Sequence, residues 1–204
     1  MTKNEKEEKR AEIKNMMRRN AGITKASELY TLGLDYRKLQ RFVEEGFLRR
    51  VKNGYYGLVE EEPDEEELIL GLYPDGVLCM ETALYYYGYL KQRPFEWRLA
   101  VDKNTSKVRF RSDYPQVIPY YTEEKVLSLG VQEISFAGGK MKIYEKERLI
   151  CDCMKYEDKM DKKDWKEAML HYLQEEEKDV VKLLAYAKER KVLKKVQERI
   201  GVWI

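Results

Sequence analysis

The sequence predicts an α+β protein, and three observations support this fold class. Short amphipathic helices followed by a hairpin signal occupy residues 1–59, alternating apolar stretches typical of strands run from residue 97 to 144, and helical periodicity continues from there to residue 199. We therefore expect an amino-terminal domain over residues 1–59, an acidic linker over 60–68, and a mixed α+β domain over 69–204 with strands first and helices after.

The first domain opens with an amphipathic helix predicted over residues 5–20. Its apolar residues fall on one face, while charged residues occupy the rest of the surface. Gly22 ends this helix, since glycine adopts a positive φ at little cost. Thr24 is then placed to cap a short second helix from Lys25 to about Thr31.

A third helix follows the turn Leu32-Gly33-Leu34. Asp35 is its expected cap, and the helix runs from Tyr36 to about Glu45, where Gly46 stops it. Two short helices joined by a three- or four-residue turn that contains a glycine form a helix-turn-helix arrangement. The polar side chains left facing outward on the third helix are Tyr36, Arg37, Lys38, Gln40 and Arg41.

The segment FLRRVKNGYYGLV after this helix indicates a β-hairpin. Asn53-Gly54 is a strong hairpin signal, because both central residues of a type I′ turn need a positive φ. Strict alternation places Phe47, Arg49 and Val51 on one face and Leu48, Arg50 and Lys52 on the other. A basic hairpin directly after a helix-turn-helix is a wing, so the sequence predicts a winged helix-turn-helix over residues 1–59.

This order of elements predicts binding to double-stranded DNA. We expect Arg37, Gln40 and Arg41 to read base edges, while Lys25, Lys38 and the basic residues of the wing hold phosphates. The complete set of predicted DNA contacts is Lys25, Tyr36, Arg37, Lys38, Gln40, Arg41, Arg49, Arg50, Lys52 and Asn53. The alternative is a winged helix that serves as a protein-interaction module and holds a partner protein without reading DNA.

Charge is distributed unevenly along the chain, whose formal net charge is +2. Residues 1–59 contain 14 Lys and Arg against 8 Asp and Glu, whereas residues 60–68 contain seven acids and no base. A basic block of this kind suits a polyanionic ligand. The acidic run is expected to be a solvated linker, and the alternative is that it lies over a basic surface and competes with DNA.

Two stretches of the sequence carry a family likeness. The first is the step into the hairpin, with Gly46, Leu48, Arg50, Val51, Gly54 and Tyr56, and the second contains Glu147, Arg148, Ile150 and Asp152. In these motifs the chain resembles the AbiEi-type (abortive infection) antitoxin family, over the first domain and most of the second half. The resemblance implies a DNA-binding antitoxin that represses its own operon and is paired with a nucleotidyltransferase-like toxin. The long charged first helix and the acidic linker depart from the family pattern.

The second domain is expected to begin with a short helix over residues 81–89. The predicted strands cover residues 97–101, 107–111, 116–121, 132–136 and 141–144, and the predicted helices cover residues 147–156, 164–175 and 180–199. Glu147, Arg148 and Asp152 suggest either an active site or a buried ion pair that stabilises the fold, and the ion pair is the favoured interpretation.

The sequence also indicates which classes of protein to set aside. It has no phosphate-binding, dinucleotide-binding or nucleophile-elbow motif, so we do not expect an enzyme or a bound cofactor. Three cysteines and a single histidine make a metal site an unfavourable interpretation. No apolar run approaches the roughly 18–20 residues that cross a bilayer, and the first residues lack the apolar region of a secretory signal, so we expect a cytoplasmic protein with no membrane partner.

Overall fold

A computed structural model describes residues 3–112 and 114–201 and divides the chain into two compact units. Unit 1 comprises the chain up to Pro74 together with Ser135–Lys140, and unit 2 comprises Asp75–Ile134 and the chain from Met141 onward. Each unit combines helices with a β-sheet, so the predicted α+β class is confirmed. The boundary at Pro74 includes the whole acidic segment 60–68 in unit 1.

Unit 1 contains a three-stranded sheet packed against helices. Its elements are, in chain order, α1 (Lys3–Arg19), β1 (Ile23–Lys25), α2 (Ala26–Thr31), α3 (Tyr36–Glu44), β2 (Leu48–Lys52), β3 (Tyr55–Leu58) and α4 (Glu65–Leu72). The strands are antiparallel in the order β1-β3-β2. Ile13 and Met17 of α1 are fully buried with Leu29, Leu39 and Leu58, and this cluster forms the core.

Strand β1 corrects the expectation for the second helix. Ile23, Thr24 and Lys25 pair with residues of β3, so Thr24 lies in a strand and does not cap α2. Thr24 is almost fully buried, and Lys25 is the residue at the N-cap position, without a side-chain capping bond. The reason is long-range: a three-residue strand forms only because β3 supplies backbone partners, and local sequence does not reveal them.

Helix α4 corrects the expectation of a linker over residues 60–68. Asp64 and Glu67 form a reciprocal capping box, in which each side chain accepts a hydrogen bond from the backbone of the other residue. The acidic first turn is favourable at the positive end of the helix dipole. Leu68, Ile69 and Leu72 are buried, so the acidic run is the start of a core helix and only its first residues resemble a linker.

Unit 2 is built on a five-stranded sheet, and its helices lie both between the strands and after the last of them. Its elements are β4 (Val77–Leu78), α5 (Met80–Tyr86), β5 (Trp97–Asp102), a 3-10 helix (Lys107–Phe110), β6 (Val117–Thr122), α6 (Glu124–Leu127), β7 (Val131–Phe136), β8 (Gly139–Tyr144), α7 (Lys146–Lys155), a second 3-10 helix (Glu157–Lys159), α8 (Lys162–Gln174), α9 (Val180–Glu189) and α10 (Leu193–Ile200). The strand order is β6-β5-β4-β8-β7, with β4 antiparallel to β5 and parallel to β8.

Two predicted elements of this unit are wrong. The strand expected over residues 107–111 is a 3-10 helix, and Val108 is 61% exposed, so the alternating pattern there has no buried face. The single helix expected over residues 180–199 is two helices, because Lys191 adopts a φ of 59° and breaks the chain direction. Within the described ranges no helix is both long and apolar enough to span a bilayer.

Candidate nucleic-acid interface

Helix α3 is held at both ends by local interactions. The Asp35 side chain accepts a hydrogen bond from the Lys38 backbone N–H at 2.8 Å, which confirms the predicted cap. At the other end, Gly46 has a φ of 68°, and the Phe47 N–H donates to the Phe42 carbonyl at 3.0 Å. Leu39 and Phe42 are buried, so this short helix presents one fixed outer face.

The outer face of α3 carries four of the ten residues predicted to contact DNA. Tyr36 is 59% exposed, Arg37 and Arg41 are exposed, and Gln40 is half-buried beside them. Residues four apart in a helix lie on the same side, which brings Arg37 together with Arg41 and Tyr36 together with Gln40. Glu44 is the one exposed carboxylate of α3 on this face.

Lys38 occupies a different position from its neighbours on α3. It is half-buried, and its Nζ donates a hydrogen bond to the carbonyl of Gly33 at 2.9 Å. Lys9 of α1 donates similarly to the Leu32 carbonyl at 2.8 Å. These two lysines satisfy the carbonyls of the turn between α2 and α3, so Lys38 stabilises that turn as well as adding positive charge.

The hairpin of β2 and β3 departs from the predicted alternation. Arg50 pairs with Tyr56 and Lys52 pairs with Tyr55, so Val51 is the extra residue of a β-bulge. Gly54 has a φ of 78°, whereas Asn53 does not adopt a positive φ, so the turn is not type I′. The bulge reverses the alternation of side chains that follow it. Lys52 therefore shares a face with Arg49, whereas the sequence predicted that it would share a face with Arg50.

This change of parity separates the four predicted contacts of the hairpin into two groups. Arg49 Nη2 donates to the Glu61 carbonyl at 3.5 Å, and Lys52 Nζ lies 3.2 Å from the Tyr73 hydroxyl and 5.1 Å from its ring centre. Both side chains are half-buried and contact residues that follow the hairpin. Arg50 and Asn53 remain exposed at the tip, where Arg50 Nη2 donates to Asn53 Oδ1.

Lys25 joins the exposed part of the hairpin to the start of α2. The Ala26 N–H donates to the Gly54 carbonyl at 2.8 Å, which fixes the first turn of α2 against the hairpin turn. Lys25 is exposed, with its Nζ 5.9 Å from the Tyr55 ring centre. Tyr55 and Tyr73 therefore position predicted contact residues, although nothing in the linear sequence marks either tyrosine for this role.

Several cations of α1 form ion pairs, whereas several cations of α2, α3 and the hairpin tip do not pair with any described residue. On α1, Lys6 and Arg10 pair with Glu45, Lys14 pairs with Glu60, and Arg18 pairs with Glu61. By contrast, none of the following forms an ion pair within the described part of the chain: Lys25, Arg37, Lys38, Arg41 and Arg50. The acidic segment thus contacts α1 through Glu60 and Glu61, while the positive charge of α2, α3 and the hairpin tip stays available for an external anion.

Arg148 and Asp152, singled out in the sequence, belong to a buried charged cluster in unit 2. Arg148 is fully buried; its Nε donates to Asp152 at 3.1 Å and its Nη1 donates to the carbonyls of Val126 and Leu129 at 2.8 Å. Arg190, which sequence analysis does not single out, donates from Nε to the other oxygen of Asp152 at 2.5 Å. Glu147 instead accepts from the Asp179 N–H at 3.1 Å. The contacts of Arg148 and Arg190 with Asp152 agree with the buried ion pair that the sequence suggests.

The cysteines do not offer reactive thiolates. Cys79, Cys151 and Cys153 are free and buried. Burial raises the pKa of the Cys151 thiol to about 12 and raises the pKa values of Cys79 and Cys153 well above the ordinary range. In the parts of the chain that the structure covers, no three His, Cys, Asp or Glu side chains are grouped to hold a metal ion.

Comparison of the chain with known protein families finds no family model that matches it. Comparison with curated proteins likewise finds no match. The assignment of a function therefore rests on the geometry of the residues described above and on the motifs of the sequence.

Proposed function

We propose that unit 1 is a winged helix-turn-helix domain and that it binds double-stranded DNA. Helices α2 and α3 with their turn correspond to the helix-turn-helix, and the β2–β3 hairpin corresponds to the wing. The observation that carries the proposal is the division of charge. Lys14 and Arg18 of α1 are paired with Glu60 and Glu61. By contrast, four cations of α2–α3 and the wing are exposed and form no ion pair within the described residues, namely Lys25, Arg37, Arg41 and Arg50.

In this proposal α3 enters the major groove. Arg37 and Gln40 have the donor geometry and the position to read base edges, and a bidentate arginine contributes about 1–3 kcal/mol of discrimination against the wrong base. Arg50 and Asn53 at the wing tip, with Lys25 at the start of α2, contact backbone phosphates. Arg49 and Lys52 contribute less than the sequence predicts, because both side chains are directed toward Glu61 and Tyr73.

The test is a fluorescence anisotropy titration with duplex DNA from upstream of the gene and a shuffled duplex of equal length. Arg37→Ala should reduce the preference for the upstream duplex, whereas Arg50→Ala should weaken binding to both duplexes equally. Arg18→Ala is the matched control, because Arg18 is an exposed arginine of α1 that already pairs with Glu61. Absence of binding to either duplex at about 50 mM salt, where phosphate contacts are strong, rejects DNA binding and leaves the protein-interaction module.

We further propose that the chain represses transcription of its own operon as an antitoxin in the cytoplasm. Support for this role comes from the resemblance to the AbiEi-type family, which implies a nucleotidyltransferase-like toxin as the functional partner. A reporter gene placed behind the upstream DNA should be repressed by the wild-type chain and released by Arg37→Ala. Repression that persists in this variant would contradict the assignment of α3 as the reading helix.

A further inference from the structure

A small cavity of about 120 Å³ opens between α1 and α3 in unit 1. It is lined by Lys6 of α1 and by Lys38, Arg41, Phe42 and Glu45 on one side of α3 and its end. Phe42 is 3% exposed and belongs to the core, so it provides a rigid apolar wall. The remaining four groups are charged, and they determine which ligand the cavity accepts.

Positive charge exceeds negative charge around this cavity. Three of the lining residues are cations, and the single carboxylate, Glu45, already accepts from Lys6 Nζ at 2.7 Å and from Arg10 Nη2 at 3.2 Å. The hydrogen bond from Lys6 holds the pKa of Glu45 below the ordinary value of a glutamate, so this carboxylate is ionised at neutral pH and its charge is already offset. Lys38 and Arg41 are not offset in this way.

The cationic groups are also ordered before any ligand binds. Lys38 is fixed by its bond to the Gly33 carbonyl, and Lys6 is fixed by Glu45. Ordering the donors in advance reduces the entropy that is lost on binding. Arg41 is exposed, has no ion pair in the described residues, and offers a planar guanidinium that matches two phosphate oxygens.

We infer that this cavity holds a backbone phosphate of the bound DNA, contacted by Lys6, Lys38 and Arg41. The inference rests on the proposed DNA binding and changes two assignments. Arg41, predicted from the sequence to read a base, becomes a phosphate contact. Lys6, which the sequence does not single out, also becomes a phosphate contact. The interface then extends from α3 onto the first half of α1.

The salt dependence of binding tests this directly, because each phosphate contact contributes a slope of about −0.9 in log K against log salt. With a shuffled duplex as the probe, Lys6→Ala and Arg41→Ala should each make the slope less steep by about 1, and the double variant by about 2. Lys14→Ala is the control. Lys14 lies on the same helix, has the same 34% side-chain exposure as Lys6 and also pairs with a glutamate, but it does not line the cavity.

Arg41→Lys separates a phosphate contact from a base contact. Lysine retains the charge at this position but lacks the planar guanidinium fork, so an Arg-to-Lys change at a bidentate base contact is not conservative. We therefore expect Arg41→Lys to keep the wild-type slope and the wild-type preference for the upstream duplex over the shuffled one. Loss of that preference with an unchanged slope would show that Arg41 reads a base and would overturn the inference. Far-UV circular dichroism of each variant verifies that it is folded.

The possible failures are distinct. If the wild-type chain binds no duplex at low salt, the proposed function fails and the inference fails with it. If the wild-type chain binds but both alanine variants keep its slope, only the phosphate cavity is rejected. A melting temperature raised by inorganic phosphate alone, and not raised in Arg41→Ala, together with unchanged DNA slopes, would show that the cavity takes free phosphate and would also overturn the inference.

Discussion

The buried carboxylate of Asp152 accepts hydrogen bonds from two guanidinium groups in unit 2. The substitution Asp152→Ala therefore tests how much this charged cluster stabilises the unit. Arg148 is fully buried and Arg190 is 5% exposed, and each donates from Nε to a different oxygen of Asp152. The substitution removes the carboxylate that both cations share. Their desolvation would remain without the attraction that offsets it.

The expected magnitude follows from these contacts. Removing one partner of a buried ion pair destabilises a protein by about 3–5 kcal/mol, and because two cations are affected we expect the upper part of this range. For a domain slightly above 100 residues, 1 kcal/mol corresponds to roughly 4 °C, so the melting temperature should fall by roughly 15–20 °C. Trp97 and Trp165 both lie in unit 2, so tryptophan fluorescence during heating reports on this unit.

Two further variants provide melting temperatures against which the effect of Asp152→Ala can be compared. Arg190→Met keeps the pair of Arg148 with Asp152 and should cost less than Asp152→Ala. Lys194→Ala removes a surface pair with Glu198, in which the lysine is 89% exposed, and should change the melting temperature by less than about 4 °C. A loss in Asp152→Ala no larger than the loss in Lys194→Ala would refute the view that the buried cluster stabilises unit 2.

Three other predictions concern individual side chains. Lys6→Ala should raise the pKa of Glu45, measured by NMR titration, because the hydrogen bond from Lys6 is the main reason that this pKa is low. Since the folded-state pKa is depressed, this ion pair stabilises the protein above the unfolded-state pKa, and the stabilisation is lost as the pH falls through the folded value. The three cysteines should not react with a thiol reagent at pH 8 until the protein unfolds, because burial raises the pKa of Cys151 to about 12 and those of the other two well above normal. Lys191→Gly should stabilise the protein by roughly 0.5–1 kcal/mol in thermal unfolding, since glycine relieves the left-handed conformation at a φ of 59°.

Each of these predictions has its own control. Lys14→Ala should leave the pKa of Glu45 unchanged, and an equal shift in both variants would contradict the role of Lys6. Thiols that react in the native state at the rate seen in denaturant would contradict the burial argument. Lys188→Gly, within α9, should destabilise the protein by about 1 kcal/mol, so the two glycine variants should differ in sign. A loss of stability in both would show that Lys191 is not strained.

Short-range signals predict much of unit 1. Asp35 caps α3 as expected, and the observed helix ends within one residue of the predicted boundary. A second local signal, the D-x-x-E pattern of Asp64 and Glu67 before an apolar run, identifies α4 as a helix if the acidic segment is examined for a capping box. These features are predictable because the interacting groups lie within one turn of the chain.

Long-range pairing escapes the same approach. Strand β1 depends on backbone partners in β3 that lie 30 to 34 positions away. The direction of Lys52 depends on the bulge at Val51 and on Tyr73, and alternation alone assigns it to the opposite face. In unit 2 the second cation that binds Asp152 is Arg190, which lies 38 positions away at the end of α9.

The sequence alone determined the α+β class, the caps and turns around α3, and the basic character of the first 59 residues, because these depend on composition and on neighbours along the chain. Only the tertiary structure decided which of those cations remain available. Carboxylates from distant segments neutralise Lys14 and Arg18 on α1, while Arg37 and Arg41 on α3 form no ion pair in the described chain. The physical reason is that an ion pair depends on distance in space, and residues that are far apart in the sequence supply the opposite charge.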